Sequence, residues 1–387
     1  MATLTEPKLS LYLHFPWCLK KCPYCDFNSH QVPAAAERDG ARADYVAAVL
    51  ADIALQADER DTRNIDSVFI GGGTPSLFSP SEIARVLAAA DKAWGFSNDA
   101  EITMEANPGA LERDSFAGYR SAGVNRVSLG AQSFDAGALQ RLGRLHSPQD
   151  THRAVAEADA AGFERINLDV MHGLPGQTVA AAVDDIRTAL SLGVSHISHY
   201  QLTLEPNTVF FAKPPPLPAE DILHEIGQQC AAVLSNAGFE RYEVSAWAQH
   251  GAQSRHNLNY WHFGDYLAVG AGAHGKLTRG GAVFRYAQPM HPQSYIEAIS
   301  ARTPLARQRI NDAAMPFEFF LNRLRVTGTV TLEEFEHKTG VSASTIQSTL
   351  DIAAERGLIR FDQPAQFDIT ALGQRFLNDL QALFLPP

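Results

Sequence analysis

Cysteine is scarce in this chain: four residues in 387, three of which, Cys18, Cys22 and Cys25, share one eight-residue run, with Cys230 alone in an apparent helix. That distribution excludes a secreted disulfide framework, which needs paired cysteines spread along the sequence. Cys230 reads as a small buried hydrophobe. Positive charge is also in deficit, with 32 Lys and Arg against 43 Asp and Glu and a formal net charge of -11. Phosphate binding needs clustered cations, so nucleic acid is not expected as a partner. No run approaches the roughly eighteen consecutive apolar residues of a spanning helix, and the opening Met1-Ala-Thr-Leu-Thr-Glu-Pro-Lys8 has no apolar export core. An acidic, globular, cytoplasmic protein is the expectation, and 45% hydrophobic content suffices for one large domain plus a smaller one.

What is present is a repeat of short β-rich runs and alanine-rich helical stretches, the pattern of successive βα units. Strands are expected at Leu9 to Phe15, Ile65 to Ile70, Glu101 to Ala106, Arg126 to Ala131, Arg165 to Met171 and His196 to Leu202. Helices are expected at Asp44 to Ala57, Pro80 to Ala93, Pro148 to Ala161 and Val179 to Leu192, several behind Ser, Asp or Pro start signals. Spacings of about 30 to 40 residues fit parallel strands with outer helices. A curled barrel and a doubly wound open sheet both remain open, since the Gly71-Gly72-Gly73 turn suits either.

After Pro214-Pro215-Pro216 the pattern gives a helix from Ala219 to Ala237 and a strand near Glu240 to Val244. The repeat then breaks. The expected organisation is a barrel over 1–247, an irregular His-, Gly- and aromatic-rich segment packed on it over 248–303, and a small domain over 304–387. In the last, helices at Pro316 to Arg325, Leu332 to Gly340 and Ala343 to Arg356 precede paired runs at Leu358 to Phe361 and Phe367 to Ile369, a winged-helix-like order. Acidic residues outnumber basic ones there, which favours a structural or docking role over DNA binding.

The run Tyr12-Leu-His-Phe-Pro-Trp-Cys18-Leu-Lys-Lys-Cys22-Pro-Tyr-Cys25-Asp-Phe27 sets three thiols in a C-x3-C-x2-C loop directly after the first strand. Three thiolates on a four-iron cluster leave one iron with an exchangeable position for a small chelating ligand. A structural zinc would want a fourth ligand, for which His14 and His30 are the candidates. A redox dithiol is less suited, because no thioredoxin-like pattern surrounds Cys22 and Cys25 and a third cysteine stands beside them.

The C-x3-C-x2-C motif after a first strand resembles that of the radical S-adenosylmethionine superfamily. Polar and glycine residues also recur at strand ends, where a β/α barrel assembles its site: Gly71-Gly72-Gly73-Thr74-Pro75, Glu105, Gln132 and Asp169. The resemblance implies an α/β fold, a partial (β/α)6-type barrel, a 4Fe-4S cluster on the three cysteines and S-adenosylmethionine at the open iron, cleaved on reduction to a 5'-deoxyadenosyl radical. Residue types suit that ligand. Gly72 and Gly73 allow close backbone approach, Thr74 offers a hydroxyl, Glu105 and Asp169 accept hydrogen bonds or pair with a positive group, and Arg144 can clamp a carboxylate. Taken singly, each is equally well a turn glycine, a solvated acid or a helix-surface arginine.

Tyr12-Leu-His-Phe-Pro-Trp-Cys, Glu105-Ala-Asn-Pro, Leu129-Gly-Ala-Gln-Ser-Phe, Leu142-Gly-Arg-Leu-His and Gly173-Leu-Pro-Gly-Gln-Thr narrow the resemblance to the coproporphyrinogen III dehydrogenase-like branch. It implies that Tyr12, Gly72, Gly73, Thr74, Glu105, Gln132, Arg144 and Asp169 line the S-adenosylmethionine site. The dehydrogenases of that branch continue the cluster motif as C-x2-C-x-C, whereas this chain has Phe27 at the last position. In addition, His256-Asn257-Leu-Asn-Tyr260-Trp261 resembles the heme-binding H-N-x-x-Y-W motif of the branch's heme chaperones. By itself, a His beside Asn and aromatics is a satisfied structural residue; the resemblance implies that these residues take heme, with His274 and His262 as candidates for the second side of the iron. Heme transfer to an acceptor protein is therefore the leading expectation, and oxygen-independent oxidative decarboxylation of coproporphyrinogen III the alternative. A membrane protein is one candidate acceptor, although this chain has no membrane segment, and a homodimer is one candidate assembly.

Overall fold

The computed structural model describes residues 4–32, 38–57, 61–109 and 113–386. Six strands, β1 (Leu9–Phe15), β2 (Ile65–Gly72), β3 (Phe96–Ala106), β4 (Arg126–Gln132), β5 (Arg165–His172) and β6 (His196–Gln201), lie side by side in chain order, each parallel to the next. The expected βα units are therefore present, the largest boundary difference among the strands being β3, which starts at Phe96 and not at Glu101. Local start signals account for the helices between them. Ser79 and Glu82 form a reciprocal capping box ahead of Pro80–Trp94, Ser147 and Asp150 do the same for Pro148–Ala160, and the Thr178 side chain caps Val179–Ser191.

Strand order decides between the two architectures the sequence allows. A doubly wound sheet reverses its order at a switch point, and this one runs from β1 to β6 without reversal. It does not close either, ending in the short strands Glu240–Arg241 and Arg307–Arg309, so the barrel is partial. The strand expected near Glu240 to Val244 is divided: Glu240–Arg241 forms the edge, and β7 (Ala246–Ala248) pairs antiparallel with β6.

Residues 248–303 differ from the expectation of irregular structure. After the helix Arg255–Trp261, β8 (Asp265–Val269) pairs parallel with β1, and β9 (His274–Arg279) and β10 (Ala282–Ala287) extend the same sheet antiparallel. The segment reads as irregular because its strands have only five or six residues and are cut by glycines. Gly280 and Gly281 both take positive φ, the requirement of a two-residue hairpin turn.

Alternation along the strands separates two environments. Leu9, Leu11, Leu13, Val68, Ile70, Met104, Val127, Leu129, Ile166 and Leu168 are buried in the main apolar core. The intervening positions carry Ser10, Ser67, Glu101, Glu105, Arg126, Ser128, Asn167, Asp169, His196 and Ser198, so the concave face is polar. Its groups bond one another: Ser10 Oγ lies 2.7 Å from Ser67 Oγ, Asn167 Nδ2 donates to Ser128 Oγ at 2.7 Å, and His196 Nδ1 is 2.6 Å from Asn167 Oδ1. This is the pairing that buried polar groups demand.

Beyond Pro304, helices Met315–Arg323, Leu332–Thr339 and Gln347–Glu355 surround a second core of Phe319, Phe320, Phe335, Phe367 and Phe384, with an antiparallel three-stranded sheet of Val330–Thr331, Gln366–Ile369 and Ile359–Gln363. The helix-then-wing order expected from the sequence is observed. Phe263 and Val283 of the preceding segment join this core. Glu334 seals the junction, accepting from Arg323 Nε at 2.8 Å and lying 3.2 Å from His262 Nδ1. His262 is thus engaged with the C-terminal part and not turned toward the barrel. Among the described residues, no helix is long and apolar enough to cross a membrane.

Burial alone raises the Glu334 pKa, but the His262 hydrogen bond and the Arg323 and Lys338 charges outweigh it and hold the carboxyl at about 2. A carboxyl depressed on folding stabilises above its unfolded pKa and loses that contribution as pH falls toward the folded one. Glu334→Gln is expected to lower unfolding free energy by about 1–3 kcal/mol at pH 7. Urea unfolding of variant and parent should converge as pH falls from about 4.5 toward 2.

Candidate functional site

The thiol loop is fixed from both sides. Trp17–Cys18 pairs parallel with His30–Gln31, and His30 N–H donates to the Pro16 carbonyl at 2.7 Å. Lys21 Nζ reaches the carbonyls of Phe27 and Ser29, while Asn28 Nδ2 ties the loop to the carbonyls of Ala271 and Met290 at 2.9 and 2.8 Å. Behind the loop, the backbone at Gly72 and Gly73 approaches so closely that side chains do not fit. A Cβ on Gly73 would lie 2.7 Å from the Trp17 carbonyl oxygen, and one on Gly72, at φ +122°, 2.7 Å from His14 Cε1. The glycines are needed first for packing the thiol loop onto β2, a role the sequence reading assigned to ligand approach.

Cys18, Cys22 and Cys25 line one cavity of about 480 Å³ at the C-terminal ends of the strands. Each has a polar neighbour: Thr74 Oγ1 donates to Cys18 Sγ at 3.4 Å, Arg144 Nη1 to Cys22 Sγ at 3.8 Å, and Ser29 Oγ lies 3.8 Å from Cys25 Sγ. Such contacts orient the sulfurs as hydrogen bonds around a ligand shell do. The zinc alternative lacks its fourth ligand. Both nitrogens of His14 are engaged, with Tyr12 OH at 2.9 Å and the Asn28 carbonyl at 2.8 Å, and His30 Nε2 is 3.1 Å from Asn28 Oδ1. Among the described residues, no group of three or more His, Cys, Asp or Glu is arranged around a single ion.

Of the residues expected around S-adenosylmethionine, Gly72, Gly73, Thr74, Glu105, Gln132, Arg144 and Asp169 line the thiol cavity. Tyr12 does not line it but stacks on Phe69 with centroids 6.4 Å apart and bonds His14, supporting the loop from behind. Burial pushes the Glu105 carboxyl up to about 8, the Asp169 charge adds to this, and the Gly72 N–H, 3.1 Å away, opposes it. Burial also raises Asp169, against hydrogen bonds from Asn167 and Ser128. Burial disfavours the charged form of both carboxyls, and a neighbouring cation offsets that penalty, so this end of the cavity suits a positively charged ligand. Gln132 sits at φ +63°, where the β4–β5 register shifts, and its Oε1 accepts from Tyr200 OH at 2.7 Å. A non-glycine residue in that region is strained and concentrates at functional sites.

The H-N-x-x-Y-W run forms the short helix Arg255–Trp261, capped by Ser254, and its residues divide. Asn257 and Trp261 face the thiol cavity. His256 is turned into the barrel at 1% exposure, stacked on Phe69 at 5.2 Å, with Nδ1 3.1 Å from Ser67 Oγ and Nε2 without a partner. Desolvation lowers its pKa to about 3, so the ring is neutral at ordinary pH. Tyr260 packs edge-on between His256 and Tyr266. His274 is exposed at the start of β9.

Several wall residues escaped sequence reading. Asn107 bridges Thr74 Oγ1 and Arg144 Nη2 and is the Asn of the quoted Glu-Ala-Asn-Pro motif, so a signal existed. Tyr200, Glu243 and Arg325 also line the cavity, but strand alternation points only to the first of these.

An ordered run of parallel strands with a three-thiol loop after the first and a glycine turn after the second defines a radical S-adenosylmethionine protein, and the model of the Radical SAM superfamily matches residues 12–189. The chain is 46% identical over 386 residues to the heme chaperone HemW of Haemophilus influenzae and 44% identical over 380 residues to that of Escherichia coli, covering 98% of both partners in each comparison. It belongs to the HemW family. Coproporphyrinogen III oxidase (HemN) from Escherichia coli, described as a radical SAM enzyme, superposes with a TM-score of 0.83 over 98% of this chain and 90% of that one, at 22% identity, a likeness of fold.

The close approach behind the thiol loop is open to test. Gly73→Ala is expected to cost about 1–3 kcal/mol in urea unfolding because backbone atoms must move. Gly227→Ala in the helix Glu220–Asn236, with nothing within 4 Å of its added Cβ, should instead gain about 0.5–1 kcal/mol.

Proposed function

We propose that this chain is a heme chaperone that binds heme beside a 4Fe-4S cluster on Cys18, Cys22 and Cys25 and passes the heme to an acceptor protein in the cytoplasm or its membrane. The observation that carries this reading is that Asn257 and Trp261 of the H-N-x-x-Y-W helix line the same cavity as the three thiols. Identity to heme chaperones along nearly the whole length supports it. When bound, the cluster supplies an open iron for S-adenosylmethionine and electrons for its reductive chemistry.

The chain's own residues have separable tasks. Thr74, Arg144 and Ser29 hold the thiolates through hydrogen bonds to sulfur. Glu105 and Asp169 receive the positive ammonium or sulfonium of the nucleoside. Trp261 offers a flat apolar surface for a porphyrin, and Asn257 a polar edge. His256 keeps an unpartnered, neutral Nε2, the state an iron-ligating imidazole requires. Its ring lies behind the cavity wall against Ser67 and Phe69, so ligation of heme iron requires it to leave that place. Phe27 stands 58% exposed at the cavity rim where the dehydrogenase pattern has a thiol, which disfavours porphyrinogen decarboxylation.

Purified protein is expected to bind heme at close to one equivalent in an absorption titration, and His256→Ala to shift the Soret band; an unchanged spectrum would exclude that ligand. The cluster-loaded, reduced protein should leave coproporphyrinogen III unconverted under anaerobic conditions, and protoporphyrinogen IX formation would favour the dehydrogenase reading instead. Because the Glu105 carboxyl is protonated below about pH 8 and its charged form attracts the cation, S-adenosylmethionine affinity should rise between pH 6 and 8. Calorimetric titration should find that slope flattened in Glu105→Gln.

A further inference from the structure

The cavity wall opposite the thiol loop is completed by the C-terminal part of the chain. Arg325, just past the helix Met315–Arg323, lies with its guanidinium carbon 4.5 Å from the centre of the Trp261 ring, and its Nη2 donates to Glu243 Oε2 at 3.4 Å. The segment is stitched to the barrel edge by a bridge between Glu243 and Val326 and by the Thr327 N–H on the Tyr242 carbonyl at 3.1 Å. Arg325 is thus carried into the cavity on a fixed backbone.

Three cations line this cavity: Lys20, Arg144 and Arg325. Lys20 belongs to the exposed thiol loop. Arg144 is committed to Cys22, to Asn107 Oδ1 at 2.5 Å and to the Gly130 carbonyl at 2.9 Å. Among the described residues the Arg325 side chain has one long hydrogen bond, to Glu243, whose other oxygen accepts from Ser245 N–H at 2.9 Å. Arg241 stands beside the pair, with Nε 3.2 Å from the Glu243 carbonyl. Arg241 also donates to the Val244 carbonyl and stands behind the wall, outside the residues that line this cavity. Trp261 Nε1 and Arg325 Nε are buried N–H groups with no acceptor among the described residues. A guanidinium on the cavity wall whose printed partner is one long carboxylate bond keeps further N–H donors for an anionic acceptor, and its fork matches a carboxylate.

We propose that Arg325 and Trp261 form a carboxylate-binding subsite that takes a propionate group of a planar tetrapyrrole, the indole covering the ring edge and the guanidinium receiving the acid. This rests on the reading that the cavity accepts heme. It makes the C-terminal part a component of the ligand site, beyond its packing against the barrel.

Heme and heme dimethyl ester share ring and iron but differ in carboxylate charge, so both are titrated into the full-length protein and into Arg325→Gln and Arg325→Lys. The parent is expected to prefer heme by about tenfold or more. Arg325→Gln should bring heme affinity down to that of the ester while leaving ester affinity unchanged, and Arg325→Lys should retain part of the preference. Equal binding of heme and ester by the parent would overturn the assignment. So would equal loss of both ligands in Arg325→Gln, the mark of a purely structural role. A parent that binds the ester but shows no Arg325-dependent gain for heme leaves heme binding standing and removes this subsite, whereas a parent that binds neither overturns the proposed function as well.

Discussion

A concave sheet face lined with hydrogen-bonding side chains is stable only if every group finds a partner, and much of this structure follows from that demand. The alternation that places Leu and Val beneath the helices places Ser128, Asn167, Asp169 and His196 inside the barrel, where they satisfy one another. Near the N-terminal ends of the strands the network closes on itself. Glu101, for example, accepts from Arg165 at 2.9 Å and from the His256 backbone N–H at 3.1 Å, fixing the start of the H-N-x-x-Y-W helix. Toward the C-terminal ends the strands open onto the cavity.

The same face couples the thiol loop to the ligand end. Thr74 bonds Cys18 and receives Asn107, Asn107 receives Arg144, and Arg144 reaches Cys22. One chain of contacts therefore links the loop after β1 to those after β2, β3 and β4. Glu105 on the same wall accepts the Gly72 N–H, so the carboxyl suited to a cation is held by the turn that also buttresses the thiols.

The C-terminal part has a comparable dual position. Its phenylalanine core also holds Phe263, two residues past Trp261, while Glu334 binds His262 next to it. The helix carrying Asn257 and Trp261 is consequently held between the barrel, through His256, and the C-terminal core, through His262 and Phe263. Arg325 adds a contact at the cavity itself. Packing across this junction and the shape of the cavity are therefore one problem.

Order and composition along the chain were enough to identify the strands, their helices and the three-thiol loop, because period-2 and period-3.6 patterns and capping residues are local properties. They also singled out Thr74, Glu105, Gln132 and Asp169, since a barrel gathers its site at strand ends that can be read one by one, whereas Arg144, past the helix that follows β4, came through the resemblance of Leu142-Gly-Arg-Leu-His. The tertiary structure alone decided that β8 to β10 join the sheet through β1, because a strand's partner more than two hundred residues away leaves no local trace. It alone divided the H-N-x-x-Y-W residues into an inward His256 and cavity-facing Asn257 and Trp261, a matter of which way a two-turn helix is rolled by its neighbours. It alone brought in Arg325, whose place on the wall depends on how two cores dock. The sequence by itself determined the chemistry offered, through three thiols and the polar strand ends, and packing between distant segments determined which side chains meet around the cavity.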